Sequence, residues 1–505
     1  MRKTPGPQRG KRGPKECAAS KLAQKNEAPK KSGGVSQIRY LVGAGVVAVL
    51  AGIGSAVYFN NPPQPQGRYP TASARPSGTG SAPLPPGVKE APPEIEYNEL
   101  MQKIKEYLDA NKRDFPTFDE EEIPLTPQNS ESILKTTFTD LEEQFVDGVS
   151  HIANFKEHVL SLLPDYKNMP DATVDFYILY KQIYDMLRAE ASQLQTIFPP
   201  DSPDGKNDGS LNQRIFQQYI LRMLNRWLFP QSYTLLKGQS ENSDTMPYIF
   251  KKIKTATAQK SHYKGKTIMI PQLVLEDEKG LQRKEGGANF DFDAGFIFVT
   301  DQCRATSVIN EIQQKNLDFP FIIEMTNQLK AALPGYRQDP VRAGIVKHEI
   351  THGITHRFWE REMLSERVDK RFSLSQLFTP QEISFFRFDN NPDPTAELLT
   401  SRPLSEVKAV GRDMDHSARV NKLVALHSAA ILCGHFNELP GYVLADAVLA
   451  RVLHAAYPTK PFQLKSAFEA FAKRATAEEL QRLGELMSTL ALNGYDKIMI
   501  HLTTQ

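Results

Sequence analysis

The first 96 residues of this 505-residue chain cannot form a hydrophobic core, which limits where a folded domain can lie. Residues 1–39 are polar and carry eleven Lys or Arg against two acidic residues. Residues 60–96 contain ten prolines with Gly, Ser and Ala between them, a composition typical of an extended, solvated linker. Only the residues from about 97 onward have the mixture of apolar and polar positions that a packed core needs.

Residues 40–59 are uncharged and apolar, and they are about as long as a helix that crosses a bilayer. Tyr40, Tyr58 and Phe59 lie at the two ends, where aromatic rings favour the membrane interface. Dense positive charge precedes the segment and none follows it immediately. The sequence therefore predicts a single-pass membrane protein with a signal-anchor helix, a cytoplasmic N-terminus and an extracytoplasmic folded part.

Three alternatives for this N-terminal region stay open. The basic arm itself could be a nuclear-type or anionic-lipid-binding cluster. The small residues Gly54-Ser55-Ala56 would suit cleavage of a signal peptide. A basic arm that is poor in acidic residues also fits a mitochondrial presequence followed by an inner-membrane anchor.

Positive charge is concentrated in the arm. Residues 1–39 have nine net positive charges and the whole chain has +2, so the remainder carries about seven net negative charges. The folded part thus gives no basic surface that would favour nucleic acid as a partner. Cys17, Cys303 and Cys433 are widely separated, which excludes a disulfide framework or a zinc ribbon and leaves the redox compartment open.

The pattern of apolar residues predicts an α+β fold that is mostly helical. Apolar residues recur at spacings of three and four from residue 97 to about 240, so we predict a helical region there. Strand-like patterns follow at residues 267–275, 288–293 and 296–300, with a tight turn at Asp293-Ala294-Gly295. Further helices are predicted over residues 318–333, 340–366, 394–410, 417–433, 441–456, 462–473 and 477–492. Residues 241–505 would form one domain with a small, antiparallel sheet.

Residues 348–352 form an H-E-x-x-H motif inside the predicted helix 340–366, which the pair Asp339-Pro340 begins. Residues four apart lie on one face of a helix, so His348 and His352 can bind one ion. Glu349 leans toward the side of the helix on which the ion would bind. We predict one Zn²⁺ per chain, with the two histidines as ligands and Glu349 as the general base that moves a proton from water to the leaving amine.

A third zinc ligand is needed, and His356 does not supply it on a straight helix. His356 lies eight residues after His348, about 12 Å along the helix axis. A carboxylate from a later helix fits better, and Glu397 falls in the first turn of the helix predicted to start at Pro394. We predict Glu397 as the third ligand, with Asp393 as the alternative and His356 as an outer residue that supports the ligands.

At these residues the chain resembles the gluzincin metallopeptidases, in particular the membrane-associated HtpX and CAAX-prenyl protease kind. The similarity extends over about residues 265–460 and is most specific at the segment from Ala288-Asn289-Phe290 to Gly295-Phe296-Ile297-Phe298-Val299-Thr300, followed by the H-E-x-x-H helix. The resemblance implies a zincin-like catalytic domain. It also implies that Ala288, Asn289 and Phe290 form an edge strand that binds an extended peptide by strand addition.

The sequence departs from that group at several positions. Ala-Asn replaces Asn-Ala, Asp291 and Asp293 enter the hairpin, and Ser401 occupies the position of the aspartate that usually follows the third ligand by four residues. The group's several membrane spans are also absent. The residue that would stabilise the oxyanion is not identified, and its candidates are His416, His427, His435, His454 and Tyr457.

The sequence therefore predicts a membrane-anchored zinc peptidase that acts on a peptide or protein substrate. Two alternatives stay open. One is a peptidase fold that has lost its activity and serves as a binding or scaffold protein at the membrane. The other is a helical structural protein in which the motif is accidental.

Overall fold

The computed structural model describes residues 94–169, 171–190, 211–239, 247–281, 288–300, 303–365, 401–435, 445, 448–449, 452–453 and 464–503. The predicted basic arm, the predicted membrane helix and residues 60–93 of the linker lie outside these ranges. Among the residues that are described, no helix is long and apolar enough to cross a membrane.

The described part of the chain is mostly helical, with one sheet, which confirms the α+β class. Its α-helices are α1 Glu94–Ala110, α2 Ser130–Lys135, α3 Asp140–Ser150, α4 Phe155–Ser161, α5 Phe176–Glu190, α6 Leu211–Leu228, α7 Ala305–Lys315, α8 Pro320–Ala332, α9 Pro340–Ser365, α10 Ser401–Val420, α11 Lys422–His435, α12 Leu464–Arg474 and α13 Ala477–Thr503. Its strands are β1 Thr117–Pro124, β2 Thr173–Asp175, β3 Tyr233–Lys237, β4 Pro247–Tyr263, β5 Lys266–Leu275, β6 Ala288–Asp291 and β7 Phe296–Val299.

The sheet differs from the small antiparallel sheet that the sequence predicts. It has seven strands, with the order β1-β4-β5-β7-β6, and β2 and β3 pair with β4. The sheet is mixed, because β7 pairs with β5 in the parallel sense through Gln272–Leu273 and Ile297–Phe298. Strand β6 is at the edge of this order, and it pairs with β7 in the antiparallel sense that the predicted hairpin requires.

Strand β4 was absent from the prediction although it is the longest strand of the sheet. Its sequence is rich in Lys, Thr, Gln and Ser, so it lacks a clear apolar alternation. The strand is stabilised by neighbours on both sides and by opposite charge, since the acidic strand β1 places Asp119 3.8 Å from Lys260. Strands β1, β2 and β3 also lie within residues 97–240, so that region is not wholly helical.

The helices after the sheet form the principal hydrophobic core together with α1 and one face of β5–β7. Helix α10 runs through residues 411–416, where the sequence predicts a gap, and it ends only at Val420. The side chain of the next residue, Asn421, accepts the N–H of Leu423 at the start of α11. Helices α10 and α13 cross closely, because a Cβ on Gly411 would lie 2.6 Å from the carbonyl oxygen of Gly484. A second core contains aromatic and aliphatic residues of α3–α6 and of β3 and β4.

Lys408 on α10 is fully buried, and its ammonium lies 5.1 Å from the ring centre of Tyr263. Burial, together with the charges of Arg412 and Lys264, lowers the pKa of Lys408 well below its usual value. The unfolded chain therefore binds more protons than the folded one, so stability rises with pH from the folded pKa up to about 10.5.

We expect Lys408→Met to raise the free energy of unfolding at pH 7 by about 0.5–2 kcal/mol and to flatten its rise toward pH 10. Urea unfolding at several pH values measures both effects. Lys473→Met is the control, since that lysine is exposed and pairs with Glu469 on the same helix. A less stable Lys408→Met protein would show that the ammonium–ring contact outweighs the cost of burying the amine.

Candidate metal centre

Helix α9 carries the H-E-x-x-H residues and begins where the sequence predicts. The carboxylate of Asp339 accepts the N–H groups of Val341 and Arg342, each at 3.0 Å, and so caps the free amides of the first turn. The helix continues without a break through Gly353 to Ser365. Gly353 permits a close approach to the sheet, because a Cβ there would lie 3.0 Å from side-chain atoms of both Ile270 and Phe290.

His348, His352 and Glu406 converge in the interface between α9 and α10. All three side chains are buried, and one donor atom from each lies within 4.8 Å of the other two. The two Nε2 atoms are 3.1 Å apart. Oε2 of Glu406 lies 3.5 Å from Nε2 of His352 and 3.7 Å from that of His348.

These three residues fit a zinc ion. Zinc–ligand bonds of 2.0–2.2 Å at tetrahedral angles place donor atoms about 3.3–3.5 Å apart. The three distances between donor atoms, 3.1, 3.5 and 3.7 Å, lie on both sides of this range. Among the described residues, Oε2 of Glu406 has no hydrogen-bond partner, although a buried carboxylate oxygen without one is costly. Two imidazole nitrogens and one carboxylate are also a donor set typical of zinc peptidases. A cation between the three atoms would satisfy all of them at once.

The carboxyl group of Glu406 is ionised in this environment. Burial by itself raises its pKa, but the neighbouring imidazoles of His352 and His348 outweigh burial and lower the pKa to about 2. Glu406 thus offers a carboxylate at neutral pH, which is the form that binds a metal.

The ring of His352 is oriented by Ser405, the residue before Glu406. The Nδ1 atom of His352 lies 2.8 Å from Oγ of Ser405, which is fully buried. This contact directs Nε2 toward His348 and Glu406. Helix α10 therefore supplies both a candidate ligand and the hydrogen-bond partner that fixes another ligand.

Glu349 lies on the side of α9 that faces the edge of the sheet. Its Oε2 accepts the backbone N–H of Phe290 in β6 at 2.6 Å. Phe290 thus directs this N–H away from β7 and toward Glu349 on α9. Ala288 and Phe290 are buried, and Asn289 between them is partly exposed. The contact brings the predicted general base and the predicted peptide-binding strand together.

The remaining predicted site residues have different positions. Glu397 and Asp393 lie outside the described residues, and the carboxylate found beside the two histidines is that of Glu406. Ser401 is the first residue of α10, and its side chain lies outside what is described. His356 lies one turn beyond His352, and its ring nitrogens are 3.1 Å from Nη2 of Arg222.

Two of the candidates for oxyanion stabilisation have described side chains. Nε2 of His416 lies 2.5 Å from Nζ of Lys347, and burial together with this amine lowers the pKa of His416 to about 3. His427 is buried, which lowers its pKa to about 4. Both rings are neutral at physiological pH. The side chains of His435, His454 and Tyr457 lie outside the described residues.

The sequence prediction places the third ligand at Glu397, in the first turn of a predicted helix, and so misses Glu406. The sequence does contain a signal for it. Leu404, Val407 and Val410 are apolar neighbours of Glu406 on the same helix, a pattern that predicts burial of this stretch of the helix together with its carboxylate. A buried carboxylate needs a cation or several hydrogen-bond donors. A metal ion shared with two histidines of another helix would meet that need.

We expect Glu406→Gln to weaken zinc binding by more than about 100-fold, beyond the usual effect of losing an outer hydrogen-bond partner. Glu397→Gln is the matched comparison, and its zinc affinity should stay within about threefold of the unaltered protein. Competition with a chromogenic chelator measures both affinities, and His348→Ala provides the reference for a broken site. The opposite ranking of the two Gln variants would identify Glu397 as the ligand.

Ser405→Ala should reduce zinc affinity by about 10–100-fold while leaving the stoichiometry at about one zinc per chain when zinc is in excess. The reason is that His352 loses the partner that orients its ring. Ser488→Ala serves as the control, because that buried serine donates to the carbonyl oxygen of Lys408. Equal affinities for the two variants would exclude an orienting role for Ser405.

Neither a protein-family model, a curated protein nor a solved structure matches this chain. The interpretation of the metal centre therefore depends on the distances, burial and chemistry of the residues described above.

Proposed function

We propose that the protein is a zinc-dependent peptidase that hydrolyses peptide bonds. The observation that carries the proposal is the convergence of His348, His352 and Glu406 beside a glutamate that contacts an edge strand. Ligands alone would suit a structural metal. A carboxylate outside the ligand set, placed between the ligands and a strand edge, is the additional element that hydrolysis requires.

Each residue of the centre has a role in this proposal. His348, His352 and Glu406 would hold the ion, and Ser405 would keep His352 in its binding orientation. A bound zinc ion supplies Lewis acidity, which lowers the pKa of water and polarises a carbonyl group. Glu349 would take the proton from the attacking water and deliver it to the leaving amine.

The substrate would bind as an extended peptide along the free edge of β6. Strand addition uses backbone hydrogen bonds, so it accepts many sequences and places the peptide beside the ligands. A peptide carbonyl that accepts the N–H of Phe290 would replace the carboxylate of Glu349 there. That exchange would release Glu349 for proton transfer at the moment when substrate binds.

The resemblance to the HtpX and CAAX-prenyl protease kind of gluzincin supports the same activity. The proposal includes a zincin-like fold for this domain. It also includes attachment to a membrane through residues 40–59, with the peptidase domain on the extracytoplasmic side. The Pro-rich linker would hold the active site away from the bilayer surface.

A second candidate is a binding or scaffold protein with an inactive peptidase fold. The hydrogen bond from the Phe290 N–H to Glu349 favours this function. Glu349 is only 2 % exposed, so it could serve to hold the edge strand in place and not to move protons. In that case a peptide would bind at β6 without being cleaved.

Glu349→Gln distinguishes the two functions. The amide oxygen of Gln can still accept the N–H of Phe290, but it cannot take a proton from water. We expect zinc binding and folding to be retained and peptide hydrolysis to fall by about 10²–10⁴-fold. The measurement is cleavage of a fluorescently labelled unfolded protein and of a mixed peptide library by the zinc-loaded chain.

Cleavage that is equally fast in Glu349→Gln would refute the role assigned to this glutamate. Binding of the peptide library to the zinc-loaded protein without any cleavage would favour the scaffold.

A further inference from the structure

Arg222 on α6 contacts three separate parts of the molecule around the candidate centre. Its Nη1 donates to Oε2 of Glu142 at 2.8 Å, and both side chains are at most 3 % exposed. Its Nη2 donates to the backbone carbonyl of Phe292 at 2.8 Å and lies 3.1 Å from the ring nitrogens of His356. One guanidinium thus joins α3, the turn after β6 and helix α9.

The side chain of Arg222 packs closely against the turn between β6 and β7. Gly295 has a φ of +76°, and a Cβ at that position would lie 3.3 Å from Nε of Arg222. The carboxylate of Asp291 accepts the N–H groups of Asp293 and Ala294, which keeps the turn compact. One helical turn before Arg222, Gln218 donates to Oδ1 of Asp293 at 2.9 Å. Helix α6 therefore holds the turn at two points.

His356 is suited to accept a hydrogen bond from Arg222. Its ring is buried, and burial together with the charge of Arg222 holds the pKa of His356 well below its usual value. A neutral imidazole has one nitrogen with a free lone pair, whereas an imidazolium has none. The pair thus fixes the turn of α9 that directly follows His352.

The connection reaches the metal ligands through Phe292. Its carbonyl is held by Arg222, and its ring centre lies 6.0 Å from that of His352 and 5.8 Å from that of His356. The same ring packs edge-on against Phe290, whose N–H contacts Glu349. Through the carbonyl of Phe292, Arg222 thus supports the strand whose Phe290 amide contacts Glu349.

We propose that Arg222 is a positioning residue for substrate binding, which ties the β6–β7 turn to helix α9 and so holds the edge strand at the correct distance from the metal centre. This inference rests on the proposed peptidase function. The planar guanidinium can donate in several fixed directions at once, which a lysine ammonium on a flexible stem does not reproduce. The role is distinct from metal binding, because the ligands come from α9 and α10.

The experiment compares three variants of the full-length, zinc-loaded protein. Arg222→Met combined with Glu142→Gln removes the guanidinium without leaving a buried unpaired carboxylate, which would by itself destabilise the fold. Arg222→Lys keeps the charge beside Glu142 but loses the planar guanidinium that donates in several directions. Arg226→Met is the matched control, since Arg226 lies one turn further along α6 and pairs with the exposed Glu131.

Four quantities are measured for each variant: zinc stoichiometry, amide hydrogen exchange over residues 288–299, stability to urea, and the steady-state parameters of peptide hydrolysis. We expect one zinc per chain in all variants. The double variant and Arg222→Lys should show at least 10-fold faster exchange in the hairpin and a KM raised by at least 10-fold, with kcat changed by less than threefold. Arg222→Lys should regain most of the stability to urea while KM stays high.

Several results would overturn the proposal. One is an unchanged KM and unchanged hairpin exchange in the double variant. Another is a fall in kcat at constant KM, which would mean that only the fraction of folded enzyme has decreased. A third is full recovery of KM in Arg222→Lys. Failure of the unaltered protein to cleave any peptide would refute the peptidase function alone, since hairpin exchange still tests whether Arg222 positions the edge strand.

Discussion

The contact between helix α9 and the edge strand β6 determines the arrangement of every polar group at the candidate centre. The helix approaches the sheet so closely that a Cβ at position 353 would lie 3.0 Å from side-chain atoms of both Ile270 and Phe290. This approach places Glu349 within hydrogen-bond distance of the Phe290 amide. It also turns His348 and His352 toward α10, which lies on the other side of α9 and brings Ser405 and Glu406 to them.

The polar side chains of this interface are buried, so their mutual arrangement has a large energetic effect. His348, Glu349, His352, Ser405 and Glu406 are all below 9 % exposed and lie beside the principal hydrophobic core. A polar group that loses its partner in such surroundings costs about 1–3 kcal/mol, and a charged one costs more. A bound cation would neutralise Glu406 and would use the lone pairs of both imidazoles. Metal binding and the stability of this interface are therefore expected to be coupled.

Support for the centre extends beyond the helices that carry the ligands. Helices α3 and α6 contribute Glu142 and Arg222, which are 80 positions apart in the sequence and form a buried ion pair. Through this pair the helices α3 and α6 contact the β6–β7 turn and His356. These two helices are thus linked by hydrogen bonds to the surroundings of the centre. The first helix, α1, also belongs to the principal core.

Local sequence patterns were sufficient wherever the deciding interaction is short in range. The cap at Asp339, the course of α9, the β6–β7 hairpin and the pairing of His348 with His352 all follow from residues within a few positions of one another. Strand β4 has a polar sequence and forms because its neighbours pair with it, so no local pattern revealed it. The break between α10 and α11 at Asn421 was misplaced for a similar reason, since α10 is stabilised by its close crossing with α13.

The sequence by itself determined that two imidazoles lie on one face of one helix with a carboxylate next to them on the adjoining face, because the spacing of H-E-x-x-H and the helical repeat require it. Only the tertiary structure decided which distant groups complete the centre. Glu406, Ser405 and Arg222 come from other helices, and their approach depends on how α6, α9 and α10 pack. Such packing is set by the sum of many side-chain contacts across the core, and no spacing along the chain contains it.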